Sequence, residues 1–214
     1  MIKKRTISRE NDMNKESTGI RKTVAYHLTQ SVVELLAKAH ISPNMITWFG
    51  FILSLGAAVL ILTGNLFIAG FVVLFAGFFD MLDGALARTT NRITRFGGIL
   101  DSTLDRLSET ALLLAVLYVY AAGNSLPGVM LVGLAIVGSL LVSYIRSRAE
   151  ALDLKCEVGI FTRPERVVVL SLGLLLSGLS YTLTISLIII VVLSGITILQ
   201  RIITVWRQTK NTPD

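Results

Sequence analysis

Six long apolar runs follow one another along the chain after residue 44, and short polar or glycine-containing segments separate them. A helix needs roughly 20 apolar residues to cross the hydrocarbon core of a bilayer. The runs therefore predict six transmembrane helices, at about residues 45–62, 66–87, 97–121, 129–147, 165–178 and 182–201. Pro43 and Asn44 are expected to break and cap the chain at the start of the first span.

The part of the chain before these spans has two different patterns. Residues 1–22 are polar and basic and contain no apolar run of the kind found in a secretory signal peptide. Residues 23–40 (TVAYHLTQSVVELLAKAH) have apolar side chains at helical spacing but are too short and too polar to span. The sequence thus predicts a basic tail over 1–22 and a membrane domain over 23–214. The fold class is all-α and polytopic, with six transmembrane helices and an N-terminal interfacial amphipathic helix.

Composition agrees with a membrane protein. Of the 214 residues, 53% are hydrophobic and 16% are charged, and the mean hydropathy of +0.70 is too high for a soluble domain of this length. The net charge of +6 would also be compatible with nucleic-acid binding. However, the sequence contains no basic or aromatic recognition module, so we expect the bilayer, and no nucleic acid, to be the partner.

The basic residues indicate the orientation. All 20 Lys and Arg residues lie in the N-terminal segment, around residues 88–106 and 146–166, or after residue 200, and the other three connections contain none. Cytoplasmic loops carry the excess of Lys and Arg in membrane proteins. We therefore expect a multi-pass protein of the cell membrane with both termini on the cytoplasmic side.

Four aspartates interrupt the apolar pattern near the cytoplasmic ends of the second and third predicted spans. Asp80 and Asp83 are three residues apart, and Asp101 and Asp105 are four apart, so each pair shares one helix face. The short loop between the two spans would bring the pairs together. Carboxylates at bilayer depth are costly and require compensation, which hard divalent cations with oxygen ligands provide. Two ions would balance the four charges, and such a site suits displacement at phosphorus.

Two other interpretations of the aspartates have to be weighed. Helix-end carboxylates are often solvated caps or form ion pairs with nearby arginines, here Arg92, Arg95 or Arg106. An ion-coupled transporter also uses intramembrane carboxylates. The sequence lacks the internal repeat expected of such a transporter, and its aspartates lie at one membrane edge rather than at the midplane.

The string DMLDGALARTTNRITRFGGILDSTLD, from Asp80 to Asp105, resembles the signature of the CDP-alcohol phosphatidyltransferases. The four aspartates stand at the spacing of the family, and so do Gly84, Ala87, Arg88 and Gly97. The resemblance implies a six-helix membrane enzyme, commonly a homodimer, that moves a phosphatidyl group from a CDP-activated lipid to an alcohol and releases CMP. Oxygen-only ligands favour magnesium, manganese or calcium, and we expect Mg²⁺ as the cofactor, with two ions and with Mn²⁺ as an alternative.

The same resemblance implies roles for individual residues. Asp80, Asp83, Asp101 and Asp105 would be metal ligands, and Asp105 would also be the catalytic general base. The CDP-lipid would be held by residues at the start of the first span and around the aspartates, namely Asn44, Met45, Ile46, Thr47, Gly84, Arg88 and Thr94. Structural alternatives exist for some of them: Asn44 as a helix cap, Gly84 as a packing contact and Arg88 as a headgroup anchor.

A set of arginines suggests how the acceptor alcohol is bound. Guanidinium groups bind phosphate through two parallel hydrogen bonds, so several on one cytoplasmic cavity would suit a phosphorylated polyol. The candidates are Arg146, Arg148, Arg163, Arg166 and Arg201, although positive-inside anchoring alone also explains cytoplasmic arginines.

Within the family, the strings SYIRSRAE, RPER and LDSTLDR most resemble the enzymes that transfer to inositol 1-phosphate, with CDP-diacylglycerol or an archaeal ether lipid as donor. These are the phosphatidylinositol phosphate synthases and the archaetidylinositol phosphate synthases. The phosphatidylglycerophosphate synthases usually have a proline and a lysine where this chain has Ser102 and Arg106. Glycerol 3-phosphate is therefore the alternative acceptor.

Overall fold

The structure, a computed structural model, describes residues 32–39 and 41–210. These residues form seven helices and no strand: α1 (residues 32–38), α2 (Pro43–Leu62), α3 (Leu66–Thr89), α4 (Arg95–Ala122), α5 (Leu126–Glu150), α6 (Arg163–Leu175) and α7 (Thr182–Lys210). The all-α prediction is therefore confirmed for the described part. The predicted tail over 1–22 and most of the predicted interfacial helix lie outside the described residues.

Short polar caps start most of the long helices. Ser42 caps α2 by accepting a hydrogen bond from the backbone of Met45 at 3.3 Å, and Pro43 follows as the first helical residue. This placement suits proline, whose missing N–H needs no partner there. Asn44 is therefore inside the helix, and the interpretation of this residue as the cap was wrong. At α6, Thr162 and Glu165 form a capping box.

Four helices, α2, α3, α5 and α7, are long and apolar enough to cross a membrane. The third predicted span corresponds to α4, which is long but has five charged residues among its first fifteen. The fifth corresponds to α6, whose 13 residues reach about 20 Å. Large apolar side chains point outward from the helices, for example Phe67, Phe71 and Phe75 on α3. The chain is thus a membrane protein in which at least four helices have the length and apolar surface needed to cross a bilayer.

Helices α2 to α7 pack side by side in a closed ring. The main packing contacts join α2 to α3, α3 to α6, α6 to α7, α7 to α5, α5 to α4, and α4 back to α2. Residues such as Ile61, Val116 and Leu187 fill the centre and are fully buried. Small residues permit close approach in the ring, since a Cβ on Gly70 of α3 would lie 2.9 Å from the backbone nitrogen of Leu175 in α6.

One end of the ring carries the polar residues. The start of α2, the end of α3, the start of α4, the end of α5, the start of α6 and the end of α7 meet there, as their mutual contacts show. Helix α1 packs at this end too, where Val33 is buried with Ile46, Leu82 and Leu86. This end therefore holds both aspartate pairs and most of the predicted site.

Candidate active site

The last turns of α3 and the first turns of α4 bring the four aspartates together. Asp83 is buried, and Asp80, Asp101 and Asp105 are partly buried. Their carboxyl groups lie close enough to act on one another electrostatically. The convergence predicted from their helical spacing is therefore seen in the structure.

Arg163, the first residue of α6, lies between the two pairs. Its Nη1 is 2.6 Å from Asp80 Oδ2 and 2.8 Å from Asp105 Oδ1. The side chains of all three residues are about one-fifth exposed. Arg163 is therefore a counterion of the aspartates, in addition to any contact it makes with an acceptor.

The aspartates fit a hard divalent cation by their chemistry. Their carboxylates offer only oxygen ligands, and the buried Oδ2 of Asp83 has no hydrogen-bond partner among the described residues. As the side chains stand, no three carboxylate, thiol or imidazole groups in residues 32–39 and 41–210 are arranged to hold an ion. Arg163 instead occupies the position between Asp80 and Asp105.

A first cavity, of about 270 Å³, opens beside Asp83 and Asp101. The starts of α2 and α4 and the end of α3 line it. Its wall contains five of the residues predicted to bind the CDP-lipid: Asn44, Thr47, Gly84, Arg88 and Thr94. The other two lie outside this lining, since Met45 is 63% exposed and Ile46 is buried against α3.

Two glycines shape the first cavity. A Cβ on Gly84 would lie 3.4 Å from Arg88 Nη1, so the guanidinium of Arg88 lies over this glycine. A Cβ on Gly97 would be only 2.8 Å from Thr94 Oγ1 and 3.1 Å from Asn44 Oδ1. Thr94 Oγ1 also accepts a hydrogen bond from Gly97 N at 2.9 Å and caps α4. The absent side chain of Gly97 thus leaves room for two polar groups of the cavity wall.

A second cavity, of about 290 Å³, lies on the other side of the aspartates. Asp105 lines it together with four of the five predicted acceptor arginines: Arg146, Arg163, Arg166 and Arg201. The fifth, Arg148, is exposed and lies outside the lining. Arg201 is buried and donates from Nε to the carbonyl of Val158 at 2.9 Å and from Nη1 to the carbonyl of Val142.

Sequence reasoning missed a buried ion pair in the wall of the second cavity. Glu109 of α4 accepts two hydrogen bonds from Arg166 of α6, at 2.5 Å from Nε and 2.8 Å from Nη2. Ser139 of α5 donates to the same carboxylate at 2.5 Å. One signal was available: Glu109 follows Asp105 by four residues and so lies on the same helix face.

The sequence profile of the CDP-alcohol phosphatidyltransferases matches residues 40–206. The chain is 36% identical over 169 residues to the archaetidylinositol phosphate synthase of Methanothermobacter thermautotrophicus, which covers 78% of this chain and 84% of the relative. It is also 36% identical over 186 residues to the phosphatidylinositol phosphate synthase of Mycobacterium tuberculosis, covering 84% of this chain and 86% of the relative.

Solved structures of the Mycobacterium tuberculosis phosphatidylinositol phosphate synthase have a similar fold. One, with CDP-DAG bound, has a TM-score of 0.76 at 34% identity and covers 84% of this chain and 94% of its own. Another, in complex with manganese and citrate, has a TM-score of 0.76 at 35% identity, and the match covers 83% of this chain and 88% of the neighbour's chain. The aspartate block, the helical architecture and these relatives agree: the chain belongs to the CDP-alcohol phosphatidyltransferase family and is an enzyme of this class.

Proposed function

We propose that this enzyme transfers a phosphatidyl group from CDP-diacylglycerol to inositol 1-phosphate, giving phosphatidylinositol phosphate and CMP. The observation that carries the proposal is the position of the aspartates between two cavities of different character. The names of the relatives, phosphatidylinositol phosphate synthase and archaetidylinositol phosphate synthase, agree with this substrate class.

The first cavity suits the nucleotide end of the donor. Gly84 and Gly97 leave room in its wall for the polar groups of Arg88, Thr94 and Asn44, which can contact a diphosphate. Arg88 supplies a guanidinium for bidentate contact with phosphate. Asn44, Thr47 and Thr94 add polar groups, and Met45 and Ile46 stay predictions of a lipid contact at the start of α2.

The second cavity suits a phosphorylated polyol. Five arginines and three carboxylates line it, an excess of two positive charges that matches a phosphate dianion. Serine hydroxyls in the same wall, Ser102, Ser143 and Ser147, can bond the hydroxyl groups of a polyol. Arg148 is exposed outside this wall, and we propose that it is a headgroup anchor rather than a substrate ligand.

The reaction takes place at the aspartates, between the two cavities. Asp105 accepts the proton of the acceptor hydroxyl, whose oxygen then attacks the lipid-side phosphorus, and the bond from that phosphorus to CMP breaks. Asp80, Asp83, Asp101 and Asp105 would hold divalent metal, Mg²⁺ or Mn²⁺ and two ions by charge, with Asp80 and Asp105 turning from Arg163. Bound metal would offset the charge of the diphosphate and make CMP a better leaving group. The manganese complex of the Mycobacterium tuberculosis relative supports this assignment.

We further propose that the six helices α2 to α7, including the shorter α6, cross the cell membrane and that the active site faces the cytoplasm. The ring supports this arrangement, because successive helices run in opposite directions. The chain therefore passes from the aspartate end of the ring to the opposite end and back three times. The Lys and Arg residues concentrate at the aspartate end. A homodimer, common in the family, is proposed as the assembly.

An acceptor panel tests the substrate assignment. Purified enzyme in lipid is given labelled CDP-diacylglycerol and, one at a time, inositol 1-phosphate, inositol, glycerol 3-phosphate or serine, and CMP release is measured. We expect release with inositol 1-phosphate and Mg²⁺ and none after chelation. Activity only with glycerol 3-phosphate would refute the acceptor and keep the family. A parallel series with an ether-linked CDP-lipid tests the donor, because one relative makes an archaeal lipid.

A further inference from the structure

The buried group of Glu109, Ser139 and Arg166 joins three helices in the wall of the second cavity. Glu109 is 8% exposed, Ser139 is 5% exposed and Arg166 is 2% exposed. Both carboxylate oxygens of Glu109 accept hydrogen bonds: Oε1 from Ser139 Oγ and Arg166 Nε, and Oε2 from Arg166 Nη2. Three hydrogen bonds from two helices therefore hold the carboxylate in place.

The geometry of the pair leaves one nitrogen of the guanidinium without a partner. In a guanidinium the three nitrogens point 120° apart, so a carboxylate that bridges Nε and Nη2 lies opposite Nη1. In Arg166 this Nη1 is buried and has no hydrogen-bond partner among the described residues. A purely structural ion pair would be expected to satisfy this donor as well, since buried polar groups are nearly always bonded.

The residue that carries this nitrogen lies in the wall of the second cavity. Arg166 and Glu109 both line the second cavity, together with Asp105 and Arg163. A donor that is held rigidly before the ligand arrives loses little conformational freedom on binding, which increases affinity.

We infer that Glu109, supported by Ser139, is a positioning residue that fixes Arg166 so that Nη1 meets the phosphate of the acceptor. This inference rests on the proposed function, which places the acceptor phosphate in the second cavity. Glu109 itself does not touch the reacting atoms; it acts through Arg166. Its removal therefore weakens acceptor binding and leaves donor binding unchanged.

A double-mutant cycle in the full-length enzyme tests the inference. Wild type, Glu109→Gln, Arg166→Lys and the double variant are compared by CMP release, with inositol 1-phosphate and CDP-diacylglycerol titrated separately. Glu109→Gln should raise the KM for inositol 1-phosphate about tenfold or more, because hydrogen bonds to a charged group are lost. The KM for CDP-diacylglycerol should stay within about twofold. In the Arg166→Lys background, Glu109→Gln should add little further increase.

A milder pair of variants covers the case in which Glu109→Gln does not fold. Ser139→Ala removes one hydrogen bond to Glu109 and should raise the acceptor KM by a smaller factor. Ser171→Ala is the matched control, because Ser171 is also buried but donates to the carbonyl of Val168 in its own helix. It should leave the acceptor KM unchanged.

Several results would overturn the inference. One is a Glu109→Gln enzyme with a lower melting temperature or kcat but the wild-type acceptor KM, which means that the pair is only structural. Another is a double variant whose fold-increase in acceptor KM equals the product of the increases in the two single variants. Glu109 would then act independently of Arg166. If Glu109→Gln does not fold, equal acceptor KM values for Ser139→Ala and Ser171→Ala would contradict it. Failure of the proposed function gives a different result, because the wild-type enzyme would then release no CMP with inositol 1-phosphate. In that case the cycle is run with the acceptor that the enzyme uses.

Discussion

Replacement of Gly97 by alanine gives a sharp test of how the first cavity is built. The added Cβ would lie 2.8 Å from Thr94 Oγ1, whereas ordinary contact begins at 3.4 Å. The hydroxyl of Thr94 must therefore retreat by about 0.6 Å. Its hydrogen bond from Gly97 N, now 2.9 Å, would then reach the limit of a useful bond. Asn44 Oδ1, at 3.1 Å, would be pushed away as well.

The neighbouring glycine supplies the matched control. A Cβ on Gly98 meets nothing within 4 Å, so Gly98→Ala adds the same methyl group without a clash. Alanine stabilises a helix by about 1 kcal/mol relative to glycine. In Gly97→Ala this gain is offset by loss of the Thr94 cap, which costs about 1 kcal/mol. Gly97→Ala should therefore be less stable than Gly98→Ala by about 1 kcal/mol, or about 2–4 °C in melting temperature.

Kinetics should separate the two variants further. Thr94 and Asn44 both line the first cavity, so their displacement in Gly97→Ala should raise the KM for CDP-diacylglycerol. The KM for inositol 1-phosphate should not change, because neither residue lines the second cavity. Melting curves in detergent and CMP-release titrations provide both measurements. Equal melting temperatures and equal donor KM values for Gly97→Ala and Gly98→Ala would refute the reasoning.

Three further substitutions test other parts of the structure. Asp105→Asn should lower CMP release by about 100- to 10,000-fold through loss of the base, with CDP-diacylglycerol still retained by the immobilised protein; near wild-type turnover would exclude Asp105 as the base. Arg146→Ala should raise the acceptor KM, whereas Arg148→Ala, which lies outside the second cavity, should not; the reverse order would show that the cavity is wrongly assigned. Gly70→Ala should destabilise the protein by about 1–3 kcal/mol because α3 and α6 touch there, whereas Gly56→Ala, inside α2 with nothing within 4 Å, should be as stable as wild type or up to about 1 kcal/mol more stable; equal melting of the two variants would contradict the close contact.

The positions of the helices could be predicted from sequence because apolar runs and turn residues are local signals. The predicted second span at about 66–87 became Leu66–Thr89, and the third at about 97–121 became Arg95–Ala122. The largest difference is in α7, which continues to Lys210 beyond the predicted end near Arg201. An apolar run marks where lipid contact ends, whereas backbone hydrogen bonding continues the helix through polar residues.

The clustering of the aspartates could be predicted because its signal is local, whereas contacts that depend on closure of the ring could not. Helical spacing placed each aspartate pair on one face, and the short α3–α4 loop joined them. The position of Arg163 between Asp80 and Asp105, by contrast, depends on the packing of α6 against helices that are distant in sequence. Glu109 and Arg166 are 57 residues apart, and their pairing likewise follows only from the packed helices.

The two cavities have separate walls: among the described residues, none lines both. Under the proposed assignment of the two cavities, substitutions in α5 and α6 would alter the choice of alcohol and leave the nucleotide contacts as they are. Under that assignment, such a division would let related enzymes share one activated donor and make different headgroups. For protein engineering, it means that a new acceptor can be sought by randomising residues such as Ser143, Arg146 and Ser147 without touching the first cavity.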